Sequence, residues 1–124
     1  MNVPELHIDE WNFTVSNRNV INDSCEQAAY IIKNCMDVSD RVNLMAYWHA
    51  LDTYSYYYDT DCVLNGDSGL ITGDGICKPS FFAFWFLNRI QSNLLKKTAH
   101  AMVTGNGRNN YTIVCHNYKK LTSR

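Results

Sequence analysis

Glu5-Leu6-His7-Ile8-Asp9-Glu10-Trp11 and Arg41-Val42-Asn43-Leu44-Met45-Ala46-Tyr47-Trp48-His49 are the two stretches whose reading decides the fold. The first alternates, with Leu6, Ile8 and Glu10 on one side and His7, Asp9 and Trp11 on the other, which is the period of a β-strand. The second is a nearly unbroken apolar run, the pattern of a strand buried on both faces of a parallel sheet. Between them Ala28, Ala29, Ile31, Ile32, Cys35 and Met36 recur at helical spacing, and Asp23 followed by Glu26 reads as a capping box, so a helix is predicted over about 24–36. Strand, helix, strand within some 45 residues is a βαβ unit with a right-handed crossover.

Outward from this unit, residues 50–78 read as one long irregular stretch. It holds Tyr54, Tyr56, Tyr57 and Tyr58 and the glycines Gly66, Gly69, Gly73 and Gly75. A loop of that length inside a compact domain usually has a function. Pro79 then opens a second helix, in the first turn where its missing N–H costs nothing. Phe81, Phe82, Phe84, Trp85, Phe86, Leu87 and Ile90 make that helix apolar nearly all round, so it needs cover on several sides. Thr98–Thr104 and Tyr111–His116 read as strands of a hairpin around Gly105-Asn106-Gly107. The expected class is α/β: two β/α units of a (β/α)8 barrel in residues 1–94, then a β-hairpin or the start of a β-sandwich in 95–124.

The totals set bounds on function. The 124 residues are a one-domain length and about half of a full (β/α)8 barrel. A net charge of −1 with 19% charged residues gives no electrostatic footprint for nucleic acid. Five cysteines, an odd count without CxxC spacing, argue against a disulfide framework or a zinc site and read as reduced, cytoplasmic thiols. The N-terminus lacks the pattern of a signal peptide, and no apolar run is long enough to span a membrane. It runs straight into a strand, as if the chain began in mid-domain. HExxH, EF-hand, GxGxxG and phosphate-loop patterns are absent, so neither metal nor cofactor is expected.

The sharpest local chemistry is Asp9-Glu10-Trp11-Asn12 at the C-terminal end of the first strand, the end that faces the active site in α/β barrels. Asp9 and Glu10 are neighbours on a strand and point to opposite faces, so they cannot both serve one substrate. Asp52, just past the second strand, is the best local second carboxylate. Glu10 could instead cap a backbone amide or pair with Arg41. His7 and His49 lie on or near the strands, and the ordinary role of such residues is in the core. Trp48, at the rim, could stack on a sugar face or plug the barrel end.

At Ile8-Asp9-Glu10-Trp11-Asn12 the chain resembles the I-T-E-W-N strand of family 39 glycoside hydrolases, the β-xylosidase and α-L-iduronidase group. The likeness continues in order through Asn22-Asp23 with Ala28 to Lys33, Met45 to Trp48 with Leu51-Asp52, Asn65 to Thr72, and Lys78-Pro79 with Ala83-Phe84 and Leu87, about residues 5–92 in all. The resemblance implies a retaining O-glycosidase in carbohydrate metabolism, with Glu10 as nucleophile and Trp48 lining the sugar subsite; Asp52 and His7 are further candidate substrate-binding residues. The two strands become the seventh and eighth of the barrel. The family's acid/base Glu sits in an Asn-Glu-Pro motif on an earlier strand, and no such motif occurs here. The chain alone is therefore expected to be inactive, with the remainder of the barrel as a missing partner. Where the family carries an acidic pair after its Ser-Asp, this chain has Ser55 and Tyr56. That departure leaves a second reading open, the sugar-sensing barrel of an AraC-type transcriptional regulator, which would meet nucleic acid only through a helix-turn-helix upstream. Either way the ligand is a sugar or glycoside, and two strands with open edges predict a homo-oligomer or a swapped assembly.

Overall fold

The structure, a computed structural model, describes residues 4–16, 18–53 and 60–120. The tyrosine cluster at 54–58 lies outside them. Strand β1 (His7–Trp11) pairs in parallel with β2 (Leu44–Tyr47), and helix α1 (Cys25–Val38) crosses between them, as the sequence pattern predicts. The second helix, α2, spans Pro79–Leu87. It packs along α1.

The polar stretch before α1 contains a 3₁₀ turn, Val20–Asp23, capped by the Asn19 side chain. The capping box expected from Asp23 and Glu26 does not form. Ser24 is the N-cap, and its hydroxyl accepts from the Glu26 amide. This frees Asp23 to accept from the Gly66 amide at 2.6 Å and to pair with Lys78. The reason lies outside the helix: a buried ammonium competes for that carboxylate more strongly than one backbone amide does.

The apolar run at 41–49 is not buried on both faces. Leu44 is 48% exposed, and Met45, Ala46 and Tyr47 are half-buried. A two-stranded sheet has two open edges, and among the described residues α1 and α2 reach it through Tyr30 and Phe84. Likewise the all-round apolar α2 leaves Phe82, Trp85 and Phe86 about half exposed.

The tail holds more sheet than the sequence pattern shows. Strands β3 (Asn93–Lys97), β4 (Ala101–Gly105) and β5 (Tyr111–Cys115) form an antiparallel meander. No local pattern marks β3, because Asn93-Leu94-Leu95-Lys96-Lys97 neither alternates cleanly nor carries β-branched residues, and its pairing with β4 reveals it. It begins at Asn93, two residues before the expected β-rich stretch at 95–124. Met102 and Val114 of this sheet are buried against Met36 of α1, with Ile32 and Leu87 beside them. The meander is thus docked on the helices. At the C-terminal end of α1, Lys97 donates to the Met36 carbonyl at 3.2 Å and to Asp40 at 2.6 Å, placing a cation where the helix dipole favours one.

The five cysteines are free. Cys35 is half-buried on α1, and desolvation there pushes its thiol up to about 11, which leaves it unreactive at neutral pH. Among the described residues no helix is long and apolar enough to cross a membrane.

Candidate active site at the strand ends

Both parallel strands end at the same rim, and one hydrogen bond fixes their relation: the Trp48 amide donates to the Trp11 carbonyl at 2.9 Å. Glu10 and Trp48 are therefore brought to neighbouring strand ends. Between the pairs Ile8↔Met45 and Trp11↔Tyr47 the register slips by one residue, so β1 has a bulge at Asp9–Glu10. Bulges re-aim a side chain and recur next to active sites. Glu10 is exposed and makes no hydrogen bond or ion pair among the described residues. Neither structural alternative for Glu10 is realised: it caps no amide, and Arg41 lies instead against Asp40 at 3.8 Å. Trp48 is 51% exposed and stacks on His49 with ring centroids 5.0 Å apart. The Trp48–His49 peptide is cis.

The other two residues lie elsewhere. His7 begins β1, three residues and about 10 Å along the strand from Glu10. It is exposed, and its Nε2 meets Glu5 at 3.0 Å. Asp52 is buried, and both of its oxygens accept from Lys78 Nζ, at 2.8 and 2.9 Å. One of them also accepts from the Gly69 amide. Burial pushes the Asp52 carboxyl above its ordinary range, against the pull of Lys78. A carboxylate gripped in this way is not a free proton donor facing Glu10. Asp52 also borders a polar depression of about 430 Å³ with Arg18, Thr72 and Asp74, which neither Glu10 nor Trp48 lines.

Lys78 is the centre of this rim, a role the sequence did not disclose. Its side chain is fully buried, and Nζ meets Asp23 at 2.6 Å, both Asp52 oxygens, and the Asp67 carbonyl at 2.7 Å. The Asp67 carboxylate, also buried, accepts from the Thr53 and Ser68 amides at 2.7 Å each. One cation thus ties the turn before α1, the segment after β2, the loop at 65–70 and the start of α2. Gly66 and Gly69 allow the loop to come this close. Gly66 has φ +80°, and a Cβ on Gly69 would sit 2.3 Å from the Asp52 nitrogen.

A second network fixes the two strand ends directly. Asn12 donates to the Trp48 carbonyl and, at 3.4 Å, to that of Ser68. Its Oδ1 accepts from the Phe13 amide at 2.6 Å and from Gln27 at 2.8 Å. Gln27, fully buried on α1, also donates to the Tyr47 hydroxyl at 2.9 Å. Burial raises the Tyr47 phenol above its ordinary value and so keeps it neutral, although the hydrogen bonds to Gln27 and Asn12 oppose this. Replacing Asn12 with alanine strips both donor and acceptor from this clasp. It is expected to lower unfolding free energy by about 1–3 kcal/mol, the cost of stranding buried polar groups. Urea unfolding measures it, and a loss under about 0.5 kcal/mol would show that water replaces the amide.

The chain matches the family model described as glycosyl hydrolases family 39 over residues 1–119. It is 32% identical over 99 residues to a β-xylosidase of Geobacillus stearothermophilus, covering 80% of this chain and 20% of that protein. A β-xylosidase of Caldicellulosiruptor saccharolyticus is 28% identical over 92 residues, covering 73% and 19%. Among solved structures, a monomeric β-xylosidase from Caulobacter crescentus CB15 superposes with a TM-score of 0.84 at 27% identity, over 97% of this chain and 24% of that one. The chain thus spans about a fifth of the length of the curated relatives it matches.

Proposed function

The chain belongs to glycosyl hydrolases family 39, and from that premise we propose that it is the segment of a retaining β-xylosidase-like enzyme that supplies the nucleophile, Glu10. The observation that carries this reading is the geometry of the rim: the exposed Glu10 carboxylate, without a partner among the described residues, lies at a bulge on a strand end, and an exposed Trp48 follows the end of the next strand. In such a reaction the Glu10 carboxylate attacks the anomeric carbon and the bond to the leaving oxygen breaks. A second carboxyl group about 5–5.5 Å away protonates that oxygen, then takes a proton from the water that hydrolyses the glycosyl-enzyme. Trp48 would stack on the sugar ring. Asp52 would act through the loop it anchors, and His7 has no evident part at this rim.

The acid/base carboxyl would come from an earlier strand of the same barrel. In this reading β1-α1 and β2-α2 are its seventh and eighth units. The other strands cover the open edges of the sheet, and neighbouring helices cover Phe82, Trp85 and Phe86. The chain alone then has one carboxylate of the required pair and turns over no glycoside.

The test is covalent capture. The intact protein is incubated with a 2-deoxy-2-fluoro-β-xyloside bearing an activated leaving group and digested for mass spectrometry. A fluoro-pentosyl adduct on the peptide containing Glu10 is expected. An adduct on another carboxylate would overturn the assignment. Sugar binding by calorimetry with no adduct and no turnover would move the reading to a non-catalytic sensor, the direction in which Ser55 and Tyr56 already lean.

A further inference from the structure

We propose that His116 is an acid-sensitive latch, which when neutral ties residues 116–120 to α1 and when protonated releases them. The inference stands on the geometry of the tail, independently of the hydrolase reading. His116 follows β5, and its amide donates to the His100 carbonyl in the β3–β4 turn at 3.1 Å. The next contact sets its protonation state. The Tyr118 amide donates to His116 Nδ1 at 3.2 Å, so that nitrogen carries no proton and the ring is a neutral Nε2–H tautomer. Among the described residues Nε2 is buried without a hydrogen-bond partner, and the His100 ring lies 5.4 Å away, centroid to centroid.

The turn places the Tyr118 ring on Tyr30 of α1 at 5.6 Å. Tyr30 in turn packs on Phe13 at 4.9 Å and on Trp11 at 6.1 Å, and Trp11 packs on Tyr47. A continuous line of aromatic contacts therefore runs from the latch to the residue after Glu10.

Protonation would put an N–H on Nδ1 facing the Tyr118 N–H, two donors with no acceptor between them. It would also set a positive charge against the neighbouring His100 ring, whose electrostatic effect opposes it. The other charged groups that face the pair come from α1. Asp37 favours the imidazolium and Lys33 opposes it, and these two already pair with each other. Glu26 and Lys33 lie near the Tyr118 phenol. The Ala99 carbonyl also favours charge, but burial and His100 outweigh it and hold His116 below the ordinary 6.5. The latched ring thus binds its proton more weakly than the released one. The latch is at full strength above the ordinary value and weakens as pH falls through it.

Nuclear magnetic resonance on this chain tests the idea. At about pH 7.5, His116 is expected as the Nε2–H tautomer, and the Tyr118 amide should be protected from exchange. Its protection factor should fall several-fold by about pH 5, since each unit of depression multiplies the released population tenfold in acid. His116→Asn supplies an acceptor for the same amide without a titrating ring. It should keep Tyr118 equally protected at both pH values, and His100→Gln should raise the midpoint of His116. A proton on Nδ1 at neutral pH, a His116 midpoint at or above 6.5, or an acid loss that survives His116→Asn would each overturn the proposal.

Discussion

Replacing Lys78 with methionine is expected to cost about 3–5 kcal/mol, a large share of the roughly 5–15 kcal/mol that holds a domain together. The replacement matches the length of the side chain but removes the ammonium that meets Asp23, Asp52 and the Asp67 carbonyl. Two carboxylates are then left in a site where the lysine side chain has no solvent exposure. Urea unfolding at neutral pH should show the loss directly. Two controls separate stranded charge from lost packing. Adding Asp52→Asn to Lys78→Met should recover part of the deficit, because one uncompensated carboxylate disappears. The deficit should also shrink in acid, as the carboxylates that lost their partner take up protons. A Lys78→Met variant within about 1 kcal/mol of the parent would mean that the ion cluster contributes little, and the rim would need another explanation.

Glu10→Gln should do the reverse, leaving stability intact and removing activity. Glu10 is exposed and has no partner among the described residues, so its neutral isostere should stay within about 0.5 kcal/mol of the parent. In the intact protein, turnover of an aryl β-xyloside should fall by roughly four orders of magnitude or more, since the glutamine amide cannot form the glycosyl-enzyme. Equal loss of stability and activity would make Glu10 a structural residue. Undiminished turnover would place the nucleophile elsewhere. The isolated chain, assayed in parallel, should be silent with either residue.

The two predictions rest on residues of very different legibility. Glu10 could be picked out from its own neighbours: an acidic group after an apolar alternation, followed by Trp11 and Asn12, at the end of a strand where barrels put chemistry. Trp48 was legible for the same reason. The bulge that isolates Asp9 and Glu10 was not, because a register slip belongs to a pair of strands and appears in neither alone. Lys78 was legible as the residue before a helix-opening proline and as part of the family likeness, but not as the centre of an ion cluster. Its partners lie 11, 26 and 55 positions away in sequence, and no local pattern joins them. Asp52 shows the limit from the other side. Its position past the second strand suggested a carboxylate open to substrate, and folding gave it a buried ammonium instead. Asn12 and Gln27 carried no chemical signature, since an amide gains its role from the carbonyls and hydroxyls it reaches.

Sequence by itself determined the alternation of strand, helix, strand and helix and the place of Glu10 at a strand end, as well as the family resemblance that the comparisons bear out. These follow from periodicity and short motifs, which are local. Tertiary structure alone decided the third strand of the tail, the docking of that sheet on the helices, the exposure of the second strand, and which polar side chains hold the rim. Those outcomes depend on which distant groups compete for a buried charge or an unpaired backbone edge. That competition is settled only when the chain has folded.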